Sequence, residues 1–217
     1  MRIQTLAASR VPPRTVVLPL LFASIIGLAF VPQARATTVA ALDLVELVRR
    51  SDKVVSAVVV GMETRYDARR RIVTDVTVEV AESMKGGAQP GERIVVRCLG
   101  GEVGDVGMRV PGEPRFEVGD ETMLFLRMQG GVHRAVGMSQ GVLPIRLDDR
   151  GYRMALPGGE GLHLVRPASR GQLQHAPGAL VAPVPLHELT NQIRTLVDGQ
   201  RLAPRPAIEE GRSLEGR

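Results

Sequence analysis

The 217-residue sequence predicts a mainly β fold, a closed antiparallel barrel or a sandwich, with a short helix before the strands and a second helix near the end. Two observations carry this prediction. Apolar and β-branched residues recur in short runs, several with a period of two, and tight polar or Gly/Pro turns separate the runs at short intervals. The regular strand–helix alternation of a parallel α/β sheet is missing.

Residues 1–36 have the pattern of a cleaved signal peptide. Arg2, Arg10 and Arg14 form a basic start, Val16–Phe30 an apolar stretch, and Ala34-Arg35-Ala36 sets small residues where signal peptidase reads. The apolar stretch is shorter than the roughly 20 residues of a spanning helix, and Pro19 and Gly27 interrupt it. The expected product is a secreted or periplasmic chain beginning at Thr37, with no stable membrane insertion after cleavage. The whole sequence has 28 Lys+Arg and 23 Asp+Glu; without the four arginines of the leader the mature chain has a net charge of +1. That balance lacks the basic surface of a nucleic-acid binder, so no nucleic-acid partner is expected. Cys98 is the only cysteine, which excludes an intrachain disulfide and leaves stability to an apolar core.

Residues 37–156 form the expected β domain. Leu44, Val45, Leu47 and Val48 fall at helical spacing, predicting a short amphipathic helix over 41–50. The β-branched segment 53–66 predicts a strand buried on both faces, and the polar 67–71 turn leads into a half-buried strand. In that strand Ile72, Val76, Val78 and Val80 face inward, and Asp75, Thr77 and Glu79 face outward. After the Gly/Pro break at 86–92, Ile94, Val96 and Cys98 share one face of the next strand. Further strands are predicted at 122–128, 132–138 and 142–147. The 148–151 turn leads into a last one, with Tyr152, Met154 and Leu156 in phase. From Pro157 the composition shifts to Gly, Pro and Ala, predicting a linker over 157–185. Leu186, Leu189, Ile193, Leu196 and Val197 then define a helix over 186–199, and 200–217 is expected as a disordered tail.

The glycine-rich segment 100–121 is the first candidate for chemistry. A phosphate-binding glycine loop delivers its N–H groups at a helix N-terminus, and here Pro111 and Pro114 follow instead of a helix. Calcium needs six or more oxygen ligands, more than this loop's carboxylates supply. The segment therefore reads as a structured connector whose charged residues Glu102, Asp105, Arg109 and Arg115 are the candidate contacts for a ligand or protein partner. The segment 137–141, GMSQG, matches the nucleophile-elbow pattern G-x-S-x-G and makes Ser139 the alternative, a serine hydrolase. The elbow needs a strand–turn–helix setting, and the VLPIRL run that follows predicts a strand. His133, His163, His175 and His187 are scattered along the chain, so no metal site, cofactor or catalytic set is expected. The mature chain has no Trp and few aromatics with which to stack bases or sugars. The function expected from the residues is a non-catalytic exported binding or interaction module.

The combination LDLVELVRRSDKVVSAVVVGMETR, TDVTVEVAESMKGG, RIVVRC and FEVGDETMLFL resembles the netrin-module/TIMP-like superfamily over about residues 41–147. It is closer still to uncharacterised exported bacterial proteins carrying GGEVG followed by G-x-R-V-P-G-x-P-R-F-x-VG. The resemblance implies an OB-like barrel, closed or partly open, flanked by helices. In TIMPs a free N-terminal cysteine chelates the metalloproteinase zinc. A chain beginning at Thr37 with its first cysteine at Cys98 carries over no inhibitory residue.

Overall fold

The computed structural model describes residues 37–169 and 172–202; residues 1–36, expected as a signal peptide, and residues 203–217 of the expected tail lie outside them. The described residues are mainly β, with a largely antiparallel eight-stranded sheet, two smaller sheets and two helices. No helix among the described residues is long and apolar enough to cross a membrane.

The centre of the fold is a long hairpin of β2 (Lys53–Tyr66) and β3 (Ile72–Lys85). Asp67 organises its turn: Oδ1 accepts the N–H groups of Arg69 and Arg71, and Oδ2 accepts the Arg71 guanidinium at 2.9 and 2.7 Å. These bonds, the guanidinium's first, hold the Asp67 carboxyl down at about 2. β3 pairs with β4 (Arg93–Leu99), and the first half of β2 pairs with β7 (Glu121–Gln129). The far end of β7 pairs with β8 (Val132–Ala135), which meets β4 in parallel through Val96 and His133. The pairings β2–β3–β4–β8–β7–β2 thus close into a ring. Three register shifts in β2, at Val54/Val55, Ser56/Ala57 and Val59/Gly61, supply the extra twist that closure needs.

Alternation along the strands divides the core in two. Leu124 and Leu126 of β7 point into the ring with Val55, Val78, Val96 and Phe116. Met123 and Phe125 point the other way, under the helices. This two-sided burial explains the unbroken apolar run in β7. The helical layer comprises α1 (Leu44–Arg50) and α2 (Leu186–Leu202). Asp43 caps α1 by accepting the Glu46 N–H at 2.8 Å, and Leu47 and Val48 enter the core while Val45 stays half-exposed. α2 buries Leu186, Leu189, Thr190, Ile193 and Val197 against the same layer, and it runs three residues past the predicted end into the expected tail.

Three differences from the sequence expectation stand out. Beyond Val59, β2 is no longer buried on both faces, because the tip of the hairpin projects past the core. The strand after the 148–151 turn, β10 (Arg153–Ala155), buries Ala155, with Tyr152 exposed and Met154 partly covered. It sits between β9 (Val142–Leu147) and β13 (Val184–Pro185), with Ala155 beneath α2. The 157–185 segment, expected as a linker, contains β11 (Leu162–Pro167) and β12 (Leu173–His175) as well as β13. β1 (Thr37–Ala40) runs parallel to β11, and Ala41, Leu164 and Ala176 make a small third cluster. Pairing makes these strands: β1 with β11 in parallel across the chain, and β12 with β11 and β13 with β10 antiparallel.

Candidate functional site

The 100–121 segment folds in two parts. Its start is a small hairpin of β5 (Gly101–Val103) and β6 (Val106–Met108), turned by Gly104 and Asp105. Gly104 has φ 59°, the left-handed conformation that a two-residue hairpin turn demands. The remainder returns across one end of the ring and buries Phe116 in its interior. It is then stitched to β2 by the bonds Gly119 N–H to Val59 O at 2.8 Å and Val59 N–H to Asp120 O at 2.9 Å.

Between this cover and the ring lies a groove of about 860 Å3. Glu102, Arg109 and Arg115 line it, together with the carboxylates Glu113, Glu117, Asp120, Glu121 and Glu160 and with Arg146. Asp105 is exposed at the hairpin tip and is not among the lining residues. Arg109 and Arg115 are exposed, whereas Arg146 is engaged with Asp120 at 2.8 Å. Among the described residues, Arg109 and Arg115 have no ion-pair partner, so the groove offers two guanidinium groups at its rim, with apolar surface from exposed Met62 and, deeper in, from Val76 and Phe116.

Glu113 forms part of the groove wall. Burial pushes its carboxyl up, partly offset by the Leu99 N–H it accepts at 3.1 Å and by the nearby charge of Arg134. A carboxyl raised in the folded state contributes most below its unfolded value, and that contribution is lost as pH rises through the folded value. Glu113→Gln retains an acceptor for Leu99, so it should stabilise the protein at neutral pH. The gain should shrink on acidification through the carboxylate range. Urea denaturation at pH 7 and pH 4 checks this; a variant less stable at pH 7 would mean the charge itself supports the fold. The Cys98 thiol, next to Glu113, is pushed up to about 12, chiefly by burial, and is a core group rather than a nucleophile.

Ser139 lies in a different setting from a nucleophile elbow. β8 and β9 are both antiparallel to β7 on the same edge, and residues 136–141 form an excursion between them. The excursion contains the short 3-10 turn Met138–Gly141 and leads into β9 rather than a helix. Gly141 closes it: a Cβ there would lie 2.4 Å from the Val136 carbonyl oxygen. The Ser139 hydroxyl donates to the Glu160 carbonyl at 3.0 Å, its N–H donates to the Gly112 carbonyl, and the Gln140 N–H donates to the Gly137 carbonyl. The N–H groups that would stabilise an oxyanion are already engaged. Gln140, buried beside it, accepts the Leu42 N–H at 2.8 Å and donates to the Ala40 carbonyl at 3.2 Å. The two glycines and the serine of GMSQG serve a joint linking β7, the 110–113 cover, the 158–161 turn and the N-terminal segment.

Folding brings together two histidines that the sequence separates. His163 of β11 and His175 of β12 meet edge to face with ring centroids 5.7 Å apart. Among the described residues, no group of three or more His, Cys, Asp or Glu side chains forms a metal-ligand set. Comparison with known protein families gives no matching model, and comparison with curated proteins gives no match.

Proposed function

We propose that the mature chain is an exported, non-catalytic binding module, an OB-type barrel akin to the netrin-module/TIMP-like superfamily, which engages a ligand or protein partner through the groove over one end of the ring. The observation that carries this reading is the groove itself, where a cover loop leaves Arg109 and Arg115 exposed beside apolar surface. The five-strand ring with flanking helices supports the OB-type assignment. The signal-peptide pattern of residues 1–36 supports export to the periplasm or medium. Engagement of the Ser139 hydroxyl and adjacent N–H groups in structural hydrogen bonds favours binding over hydrolysis.

The test is affinity capture from the exported fraction using the mature chain and an Arg109→Glu/Arg115→Glu variant. A defined species retained by the wild type and lost by the variant, at unchanged melting temperature, supports the reading. Equal retention by both moves the binding site elsewhere. Intact mass of the exported protein should correspond to a chain beginning at Thr37.

A further inference from the structure

We propose a second binding site, for a doubly charged tetrahedral oxyanion such as phosphate or a phosphomonoester, between Arg127 of β7 and Arg134 of β8. The antiparallel register sets these two residues directly opposite each other, so their side chains share one face about 5 Å apart at Cβ. Like charges in that relation oppose strand pairing, and an anion between them would reverse the sign of the interaction.

The surroundings favour an anion. Arg127 and Arg134 line a cavity of about 380 Å3 together with Arg50 and Arg97, against a single carboxylate, Glu113. The other arginines are already engaged. Arg97 binds Asp75 at 2.6 and 2.7 Å, and Arg50 binds Glu46 at 2.5 Å. Those acids are shared in turn: Asp75 also takes Arg65 at 2.8 Å, and Glu46 takes Arg49 at 2.9 Å. Among the described residues, neither Arg127 nor Arg134 belongs to an ion pair, so positive charge is left over at the cavity. Paired guanidinium forks match the acceptor geometry of a phosphate, to which each can donate through two N–H groups. Glu113 limits the affinity, because its carboxylate sits in the same wall. Among the described residues no aromatic side chain lines the cavity, so it has no platform on which a base could stack. The site meets the larger groove only at Cys98, Glu113 and Pro114 and stands independently of the groove's role.

Calorimetric titration of the mature protein with inorganic phosphate, glycerol phosphate and acetate at constant ionic strength tests the proposal. Saturable single-site binding of phosphate or glycerol phosphate is expected, and acetate should bind at least tenfold more weakly. If glycerol phosphate binds as well as phosphate, the natural source is a phosphomonoester; if phosphate alone binds, the source is the free ion. Arg127→Gln and Arg134→Gln should each weaken binding tenfold or more. In dilute buffer without phosphate each should melt at or above the wild-type temperature, which separates lost binding from lost folding. Glu113→Gln should tighten binding, and Arg109→Gln/Arg115→Gln should leave it unchanged. Absence of saturable phosphate binding, equal binding by the arginine variants, or acetate binding as tightly as phosphate overturns the proposal.

Discussion

Phe125→Ala is expected to destabilise the folded protein by about 3–5 kcal/mol, the range for truncating a fully buried Phe in a core that relaxes only partly. Phe125 is completely buried on the helix-facing side of β7, packed in one cluster with Leu47, Met123, Leu143, Leu189 and Ile193. Its backbone carbonyl also accepts the Val136 N–H at 2.8 Å, where the chain leaves β8. The residue thus joins the α1/α2 layer to the β7 wall of the ring. For a chain of this length the loss corresponds to a drop of roughly 6–20 °C in melting temperature. Differential scanning calorimetry alongside Leu147→Ala, which removes an exposed side chain, supplies the contrast. A Phe125→Ala loss no larger than that of Leu147→Ala would refute the two-layer core.

Gln140→Ala is expected to cost about 2–4 kcal/mol, because it leaves the buried Leu42 N–H without its acceptor and the Ala40 carbonyl without its donor. The amide is the main tie between the 40–42 segment and the ring, so the variant should first release β1 from β11. Hydrogen exchange should show faster exchange at the N–H groups of Leu42 and the β1–β11 pair, with β3 and β4 unchanged. Ser139→Ala removes one bond, to the Glu160 carbonyl, and should cost only about 1 kcal/mol. An esterase activity that disappeared with Ser139→Ala while stability held would overturn the non-catalytic reading. Uniformly faster exchange in Gln140→Ala would mean that the N-terminal segment does not open separately.

The core faces of β3 and β4 were legible because over 76–80 and 94–98 one face is buried and the other more exposed, so side-chain type alternates with the pleat. The period-two pattern at Val76, Val78 and Val80, and at Ile94, Val96 and Cys98, corresponds to buried positions. The C-terminal helix was legible for the same reason at a 3.6-residue period. Tyr152 misled because it precedes β10, and a strand of three residues has no room for a pattern to establish its phase. β1 and β11 were invisible because their partners lie more than a hundred residues apart and pair in parallel.

The candidate sites show the same division. The glycines, prolines and charges of 100–121 mark a non-helical connector, since Gly104 requires a left-handed turn and Pro111 and Pro114 deny a helix; this much is local chemistry. That the connector covers one end of the ring, buries Phe116 and draws Glu113 into a wall shared by two cavities depends on contacts between distant segments. The same holds for Arg127 and Arg134, seven positions apart in the chain and separated by a turn. Each alone is an ordinary polar residue of a strand. Register makes them neighbours, and register is set by the burial of Leu124, Leu126 and the rest of the core, not by the arginines themselves.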